Sequence, residues 1–350
     1  MTAVANQRRR APLISLLAVG FLVFAGALAF RWFTGRLEAV KPGSTETVHV
    51  EIPAGVSTRE VAELLEQHHV IKDATFFRYY ARYRQLDGQL KGGEYELTPG
   101  MTPDQILQKL SRGEIIVRRF TVPEGLTVAQ LADLLASKQL VDGDKFRKLA
   151  AASRLNEPYL PAEAKLAQPL EGYLFPSTYD YKPGVTEEQI LQMMFTRWQQ
   201  TFAADLQARA KDLKLTVHEV MTLASIIETE AQVAQERPVI GGVYLNRLQI
   251  GMKLDADPTV RYAVNRAPEE ALRFADLQAE SPYNTYLVPG LPPSPIAAPG
   301  LASIKAALYP EKHEFFYFVA RADGTGRHYF ARTLEEQTAN IEKSQVNATK

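Results

Sequence analysis

Ile52-Pro53-Ala54-Gly55-Val56-Ser57 recurs as Val122-Pro123-Glu124-Gly125-Leu126-Thr127, seventy positions later. The offset persists: Val61-Ala62-Glu63-Leu64-Leu65 matches Leu131-Ala132-Asp133-Leu134-Leu135, and Phe76 matches Phe146. A shorter echo lies between them at Pro99-Gly100-Met101-Thr102, running into Ile106-Leu107 and Leu110. Each copy obeys the same local physics. A β-rich stretch (Val48-His49-Val50, Tyr95-Glu96-Leu97, Phe120-Thr121-Val122) meets Pro and Gly, which turn the chain. Ser57, Thr102 or Thr127 then caps a helix, with Glu60, Gln105 or Gln130 three residues on to complete a capping box. The apolar positions that follow keep helical spacing. Residues 46–150 therefore read as small strand–helix modules.

Outward from the repeat, the first positions decide where the chain works. Ala11 to Phe30 contains no charged residue. Twenty residues at about 1.5 Å each span roughly the 30 Å of a bilayer core. Arg8, Arg9 and Arg10 precede the run and Trp32 follows it, so the expectation is a cytoplasmic basic tail over 1–10 and one transmembrane helix over 11–33. A cleaved signal peptide is the rival reading, with Ala25-Gly-Ala27 or Ala27-Leu-Ala29 as the cut, but such apolar runs are shorter. Either way residues from about 40 onward are exported.

Composition narrows the function classes. Lys+Arg 40 balances Asp+Glu 40, so no net positive charge points to nucleic acid as a partner. With Cys 0 there is no disulfide framework, thiolate metal site or Cys nucleophile. His68-His69, His218, His313 and His328 have no metal-ligand spacing. No phosphate loop and no Gly-x-Ser-x-Gly elbow occurs. The reading contains no metal and no cofactor.

After a boundary between Ala150 and Pro169, Glu171 to Tyr179 reads as an aromatic loop and Thr186 starts a helix. Thr216 to Glu230 is the strongest helical stretch: Thr216 is the cap, Glu219 the box partner, and apolar side chains cover over half of the wheel. Such a helix is buried. Glu228 and Glu230 end it, each on the margin of the apolar arc. Helical geometry does not choose between them; it predicts only that a carboxyl is carried to the edge of a core, where desolvation raises its pKa. A carboxyl protonated near neutral pH is what a general acid requires.

The motifs around this helix come in a distinctive order. Ala224-Ser-Ile-Ile-Glu228-Thr-Glu230 is followed by Glu236-Arg237, Asn246-Arg247, Asp257-Pro258-Thr259, Ser281-Pro-Tyr283-Asn284-Thr285-Tyr286 and Gly290 to Gly300. Together with Glu171-Gly-Tyr-Leu-Phe-Pro176 and Tyr317-Phe-Val319, they resemble the YceG-like (MltG) family of endolytic murein transglycosylases over about residues 46–335. The stretch Gly92–Gly113 loosely resembles a LysM module, a unit that binds GlcNAc-containing glycans.

The resemblance implies an α+β protein with a single N-terminal transmembrane helix, LysM-like strand–helix modules over 46–150 and a mixed α+β catalytic domain over 165–345. It implies a single-pass protein of the cell inner membrane, a lyase whose catalytic domain is extracytoplasmic. That enzyme cuts the β-1,4 bond from N-acetylmuramic acid to N-acetylglucosamine inside peptidoglycan strands, leaves 1,6-anhydro ends and terminates nascent strands. Its partners are glycan strands, the membrane and cell-wall synthesis proteins. The family's catalytic glutamate is the first carboxylate of the motif, here Glu228. Thr229 departs from the Lys that relatives often carry there.

Substrate contacts are expected from Glu230, Asn246, Asp257, Tyr283, Asn284, Thr285 and Tyr286. Structural roles compete for several of them: the tyrosines pack a turn, Asp257-Pro258-Thr259 starts a helix, and Arg247 pairs with an acid such as Glu236. Two other functions remain open, a muramidase-type hydrolase with Glu230 or Asp257 as second carboxylate, and a non-catalytic glycan-binding adaptor.

Overall fold

The computed structural model describes residues 10–161, 166–267 and 270–349, with backbone only for 10–19 and 29. Of the basic tail expected over 1–10, residues 1–9 lie outside the described residues and Arg10 begins the first helix. The protein is of the α+β class and forms two compact units, one up to Arg118 together with Asp180–Gly184, the other Arg119–Tyr179 with Val185–Lys350. The module over 122–150, grouped in sequence with its repeat partner, belongs to the second unit.

The first unit begins with α1 (Arg10–Leu37) and continues as β1 (Val48–Ile52), α2 (Thr58–Gln67), α3 (Ala74–Tyr83), β2 (Gly93–Leu97) and α4 (Pro103–Arg112). Among the described residues no helix is long and apolar enough to cross a membrane; half of the charge-free run expected to do so falls where side chains are not described. β1 and β2 pair antiparallel, Val48 opposite Leu97 and Ile52 opposite Gly93. Their inward residues Val50, Ile52, Tyr95 and Leu97 meet Val61, Leu65 and Phe77 from α2 and α3 and Ile106 and Leu110 from α4 in one core. The capping boxes of Ser57 with Glu60 and Thr102 with Gln105 are formed. They satisfy orphan N–H groups at each helix start.

Next in the chain are β3 (Arg118–Thr121), α5 (Val128–Ser137), α6 (Gly143–Ala152) and β4 (Thr178–Tyr181), of which the second unit holds all but Arg118, Asp180 and Tyr181. β3 pairs with β4, and Thr127 with Gln130 caps α5. The seventy-residue repeat is thus a repeated β-α-α-β order, whose second copy closes only at β4, 25 residues of chain after α6. Next come α7 (Glu187–Thr201), α8 (Ala204–Asp212), α9 (Val217–Glu230), α10 (Arg237–Gln249), α11 (Asp257–Ala263), α12 (Leu301–Leu308), the antiparallel pair β5 (Tyr317–Ala320) and β6 (His328–Ala331), and α13 (Leu334–Ala348).

Trp198 of α7 sits in the core of this unit, with the rings of Tyr159, Tyr173, Phe195 and Phe202 around it at 4.8–5.8 Å. Its indole N–H donates to Met221 of α9 at 3.3 Å. Every residue of α9 from Val220 to Ile227 is buried, as an apolar wheel demands. α10 comes close to α12 because Gly241 lies against the Ala306 backbone, where a Cβ would collide.

Candidate active site

The C-terminal turn of α9 holds both carboxylates, and the chain around it fixes two different surroundings. Upstream, Thr216 and Glu219 form the capping box that starts the helix. His218 bridges Tyr173 and the Pro293 carbonyl. Since a carbonyl only accepts, Nε2 carries the proton and Nδ1 accepts from the tyrosine. Burial lowers the pKa of His218, which keeps it neutral. One turn before the carboxylates, the Ser225 hydroxyl accepts from Ile296 N at 3.0 Å and donates to Thr222 O at 2.7 Å. The helix thereby pins the Pro-rich segment 292–300.

Glu228 points into that segment. Its carboxylate accepts from Gly300 N at 2.9 Å and from Arg237 Nη2 at 3.2 Å, and its side chain is only 6% exposed. Arg237 is held in turn by Ser303 Oγ at 3.0 Å. The carboxyl of Glu124 rests on the α-carbon of the same glycine, so that a methyl group at 300 would collide with it. Burial raises the pKa of Glu124, the charge of Glu228 raises it further, and Arg237 opposes both. The Glu124 loop is fixed by two backbone bonds of 2.8 Å, Gly125 N to Ala298 O and Ala298 N to Leu126 O. Gly125 takes φ +81, which a side chain would resist.

Glu230 leaves the helix about 200° further round and meets other company. It is half-buried, and its carboxyl is pushed up to about 8, by burial first and by the charge of Asp257 second, against Arg261 and Arg247. Asp257, exposed at the start of α11, accepts from the Tyr286 hydroxyl at 2.7 Å. Tyr244 of α10 is buried near Glu230, and its hydroxyl has no hydrogen-bond partner among the described residues. Three of the expected substrate contacts, Glu230, Asp257 and Tyr286, therefore gather in one polar cluster.

The other four are spent on internal bonds. Asn246 Nδ2 donates to His313 O and Phe315 O, both at 3.0 Å. Asn284 is fully buried and donates to Leu277 O and Ala279 O. Thr285 Oγ1 accepts from Ala256 N at 3.0 Å and shares a proton with Thr259, which ties the loop to the start of α11. Tyr283 packs on Tyr262 and bonds Ser294. Arg247 pairs with Asp255 and the carbonyls of Lys253, Leu254 and Phe316. The acid offered for it in the sequence, Glu236, instead holds His328 at 2.8 Å. Glu236 sits before α10 and Arg247 in its last turns, so helical rise separates them by more than a side chain reaches.

Sequence reasoning missed Glu124 and Glu171. Glu171 is buried; it accepts from Val128 N at 3.0 Å and from the Tyr262 hydroxyl at 3.2 Å, and burial pushes it up to about 8. Its neighbour Gly172 has φ +81 and lies against Pro295, where a Cβ would not fit. The signal for Glu124 was present: it stands where the first copy of the repeat has Ala54. Among the described residues no group of three or more His, Asp or Glu side chains is placed to hold a metal ion.

The YceG-like family matches residues 50–343. The chain belongs to the YceG-like family. An endolytic murein transglycosylase of Bacillus subtilis (strain 168) is 35% identical over 339 residues, covering 92% of this chain and 91% of the relative. One of Streptococcus pneumoniae serotype 2 (strain D39) is 28% identical over 360 residues, covering 94% of this chain and 65% of the longer relative. A crystal structure of a YceG-like protein from Listeria monocytogenes superposes with a TM-score of 0.59 at 36% identity, over 85% of this chain and 99% of that one.

Proposed function

We propose that this YceG-like protein is an endolytic murein transglycosylase, a lyase that cuts peptidoglycan strands internally, and that Glu228 is its acid and base. The relatives' activity supports the reaction. One observation carries the residue: the carboxyl of half-buried Glu228, first carboxylate of the motif, stands with Arg237 and the Glu124 carboxyl at Gly300. Glu230, also half-buried, turns to Asp257 on another side of the helix and belongs to the substrate-contact cluster.

Glu228 donates its proton to the glycosidic oxygen, and the bond from C1 of N-acetylmuramic acid to the N-acetylglucosamine oxygen breaks. The C6 hydroxyl of the same muramic acid attacks C1, and its proton passes to the carboxylate that Glu228 has become. A 1,6-anhydro ring closes, the enzyme regains its proton and no water is consumed. Arg237 and the Gly300 N–H hold the carboxylate in place between the two transfers. The intramolecular attack also gains effective concentration.

The same reading includes membrane anchoring through α1, with catalysis in residues 165–345 on the outer side of the inner membrane and termination of nascent strands as the cellular outcome. The charge-free run 11–30 and the outward Phe21, Leu22, Val23 and Phe24 support the anchor. The β-α-α-β order of 48–97 supports a LysM-like module. The test is mass analysis of the fragments that the purified chain releases from peptidoglycan. Anhydro-ended fragments are expected. Reducing-ended fragments would favour the hydrolase reading, and intact strands the adaptor reading.

A further inference from the structure

α1 does not run freely into the first unit. Its last turns lie on α3: Trp32 and Phe33 meet the Phe76 ring edge-on at 6.1 and 5.5 Å. Arg36 pairs with Asp73 and lies over the Trp32 ring, while Lys72 Nζ donates to Gly35 O at 2.9 Å. Phe76 stacks on Tyr80, and Tyr80 on Tyr83, so aromatic rings continue from the end of α1 along α3. They line a groove of about 590 Å³. Its rim is open: Tyr79 is 63% and Tyr83 78% exposed, values that only an unburied aromatic face gives. Arg78 and Arg82 are exposed on the same short helix, alternating with those tyrosines.

We propose that this aromatic and arginine-bearing face of α3 docks on the phospholipid headgroup layer of the membrane that α1 enters, with Trp32, Tyr79 and Tyr83 at the interface and Arg78 and Arg82 on lipid phosphates. The inference rests on the reading of α1 as an anchor. Continuity supplies the first argument: Trp32 ends the apolar stretch of α1, and its fixed contact with Phe76 brings α3 to the same depth. Chemistry supplies the second. Tyrosine and tryptophan, apolar in body and polar at the tip, concentrate where hydrocarbon meets water, and exposed arginines match anionic phosphate in charge and fork geometry. An exposed apolar patch of this kind otherwise marks an interaction surface left uncovered. The docked collar fixes the first unit against the bilayer instead of leaving it on a loose tether.

The chain has no cysteine, so Tyr83→Cys and Tyr79→Cys each give one thiol for a nitrobenzoxadiazole label. The full chain is reconstituted in nanodiscs of phosphatidylethanolamine and phosphatidylglycerol. The expected result is loss of emission with doxyl-labelled lipid and protection from aqueous iodide at both positions, with the lipid quenching weakened by Arg78→Glu and Arg82→Glu together. Labels quenched by iodide but not by doxyl lipid, in a chain that co-purifies with the disc, would overturn the docking and leave the anchor standing. Labels shielded from both quenchers would mean that protein covers the groove, and would overturn it as well. A chain that fails to enter the disc at all refutes the anchor, and the docking with it.

Discussion

Gly300 donates its backbone N–H to Glu228 at 2.9 Å and at the same time carries the Glu124 carboxyl against its α-carbon. Two acids from distant parts of the chain therefore converge on one glycine, with Arg237 as the cation between them. A methyl group at 300 would have to push the exposed Glu124 carboxyl aside. Gly300→Ala is therefore expected to destabilise the protein by no more than about 1 kcal/mol, the low end of the cost of overpacking. Adding Glu124→Ala removes the obstructing carboxyl and should recover part of the loss. Denaturant unfolding of the two single variants and the double checks this, and strictly additive losses would mean the collision is not the cause.

Glu171 predicts a pH dependence of stability. Its pKa is about 8 in the folded protein against an ordinary 4.5, so between these values the folded state holds a proton that the unfolded state has released. Stability should then fall as pH rises through that window, by up to roughly 1.4 kcal/mol per pH unit for one such group. Glu171→Gln should flatten the slope, read from melting temperatures across the window. An unchanged slope contradicts the assignment.

Asn246 separates packing from chemistry. Its amide satisfies two carbonyls, those of His313 and Phe315. Asn246→Ala should lower stability by about 1 kcal/mol, the usual net worth of such part-buried hydrogen bonds, while kcat/KM of the folded fraction stays near that of the parent. A large rise in KM without a loss in stability would make Asn246 a sugar ligand.

Asp257 tunes its neighbour. Burial first and the Asp257 charge second raise Glu230 to about 8, so Asp257→Asn should lower that pKa. Carboxyl-carbon NMR titration of Glu230 in the two proteins checks this. The same midpoint in both would detach Asp257 from Glu230.

Local signals were legible in the sequence and long-range ones were not. The boxes at Ser57, Thr102, Thr127 and Thr216 need only a hydroxyl and an acid or amide three residues apart, and each forms as read. The closing strand β4 escaped, because 25 residues of chain separate it from α6 and its pairing with β3 leaves no local trace. The same limit governed the two glutamates. Spacing set both at the margin of α9, but their difference is written by Arg237, Gly300 and Glu124 around one, and by Asp257 around the other. Asn246, Asn284 and Thr285 look like ligands in a motif; only the fold reveals the carbonyls and hydroxyls that already occupy them.

Glu228 moves the proton in this scheme. The most direct measurement is turnover of Glu228→Gln and Glu230→Gln on the same peptidoglycan, beside their melting temperatures. Glu228→Gln should lose about 10²–10⁴-fold or more in kcat, since one group serves two proton transfers, while most of its molecules stay folded. Glu230→Gln should keep anhydro-forming turnover, with any loss falling on KM. A Glu230→Gln protein that is folded and inactive, beside an active Glu228→Gln, would contradict the account.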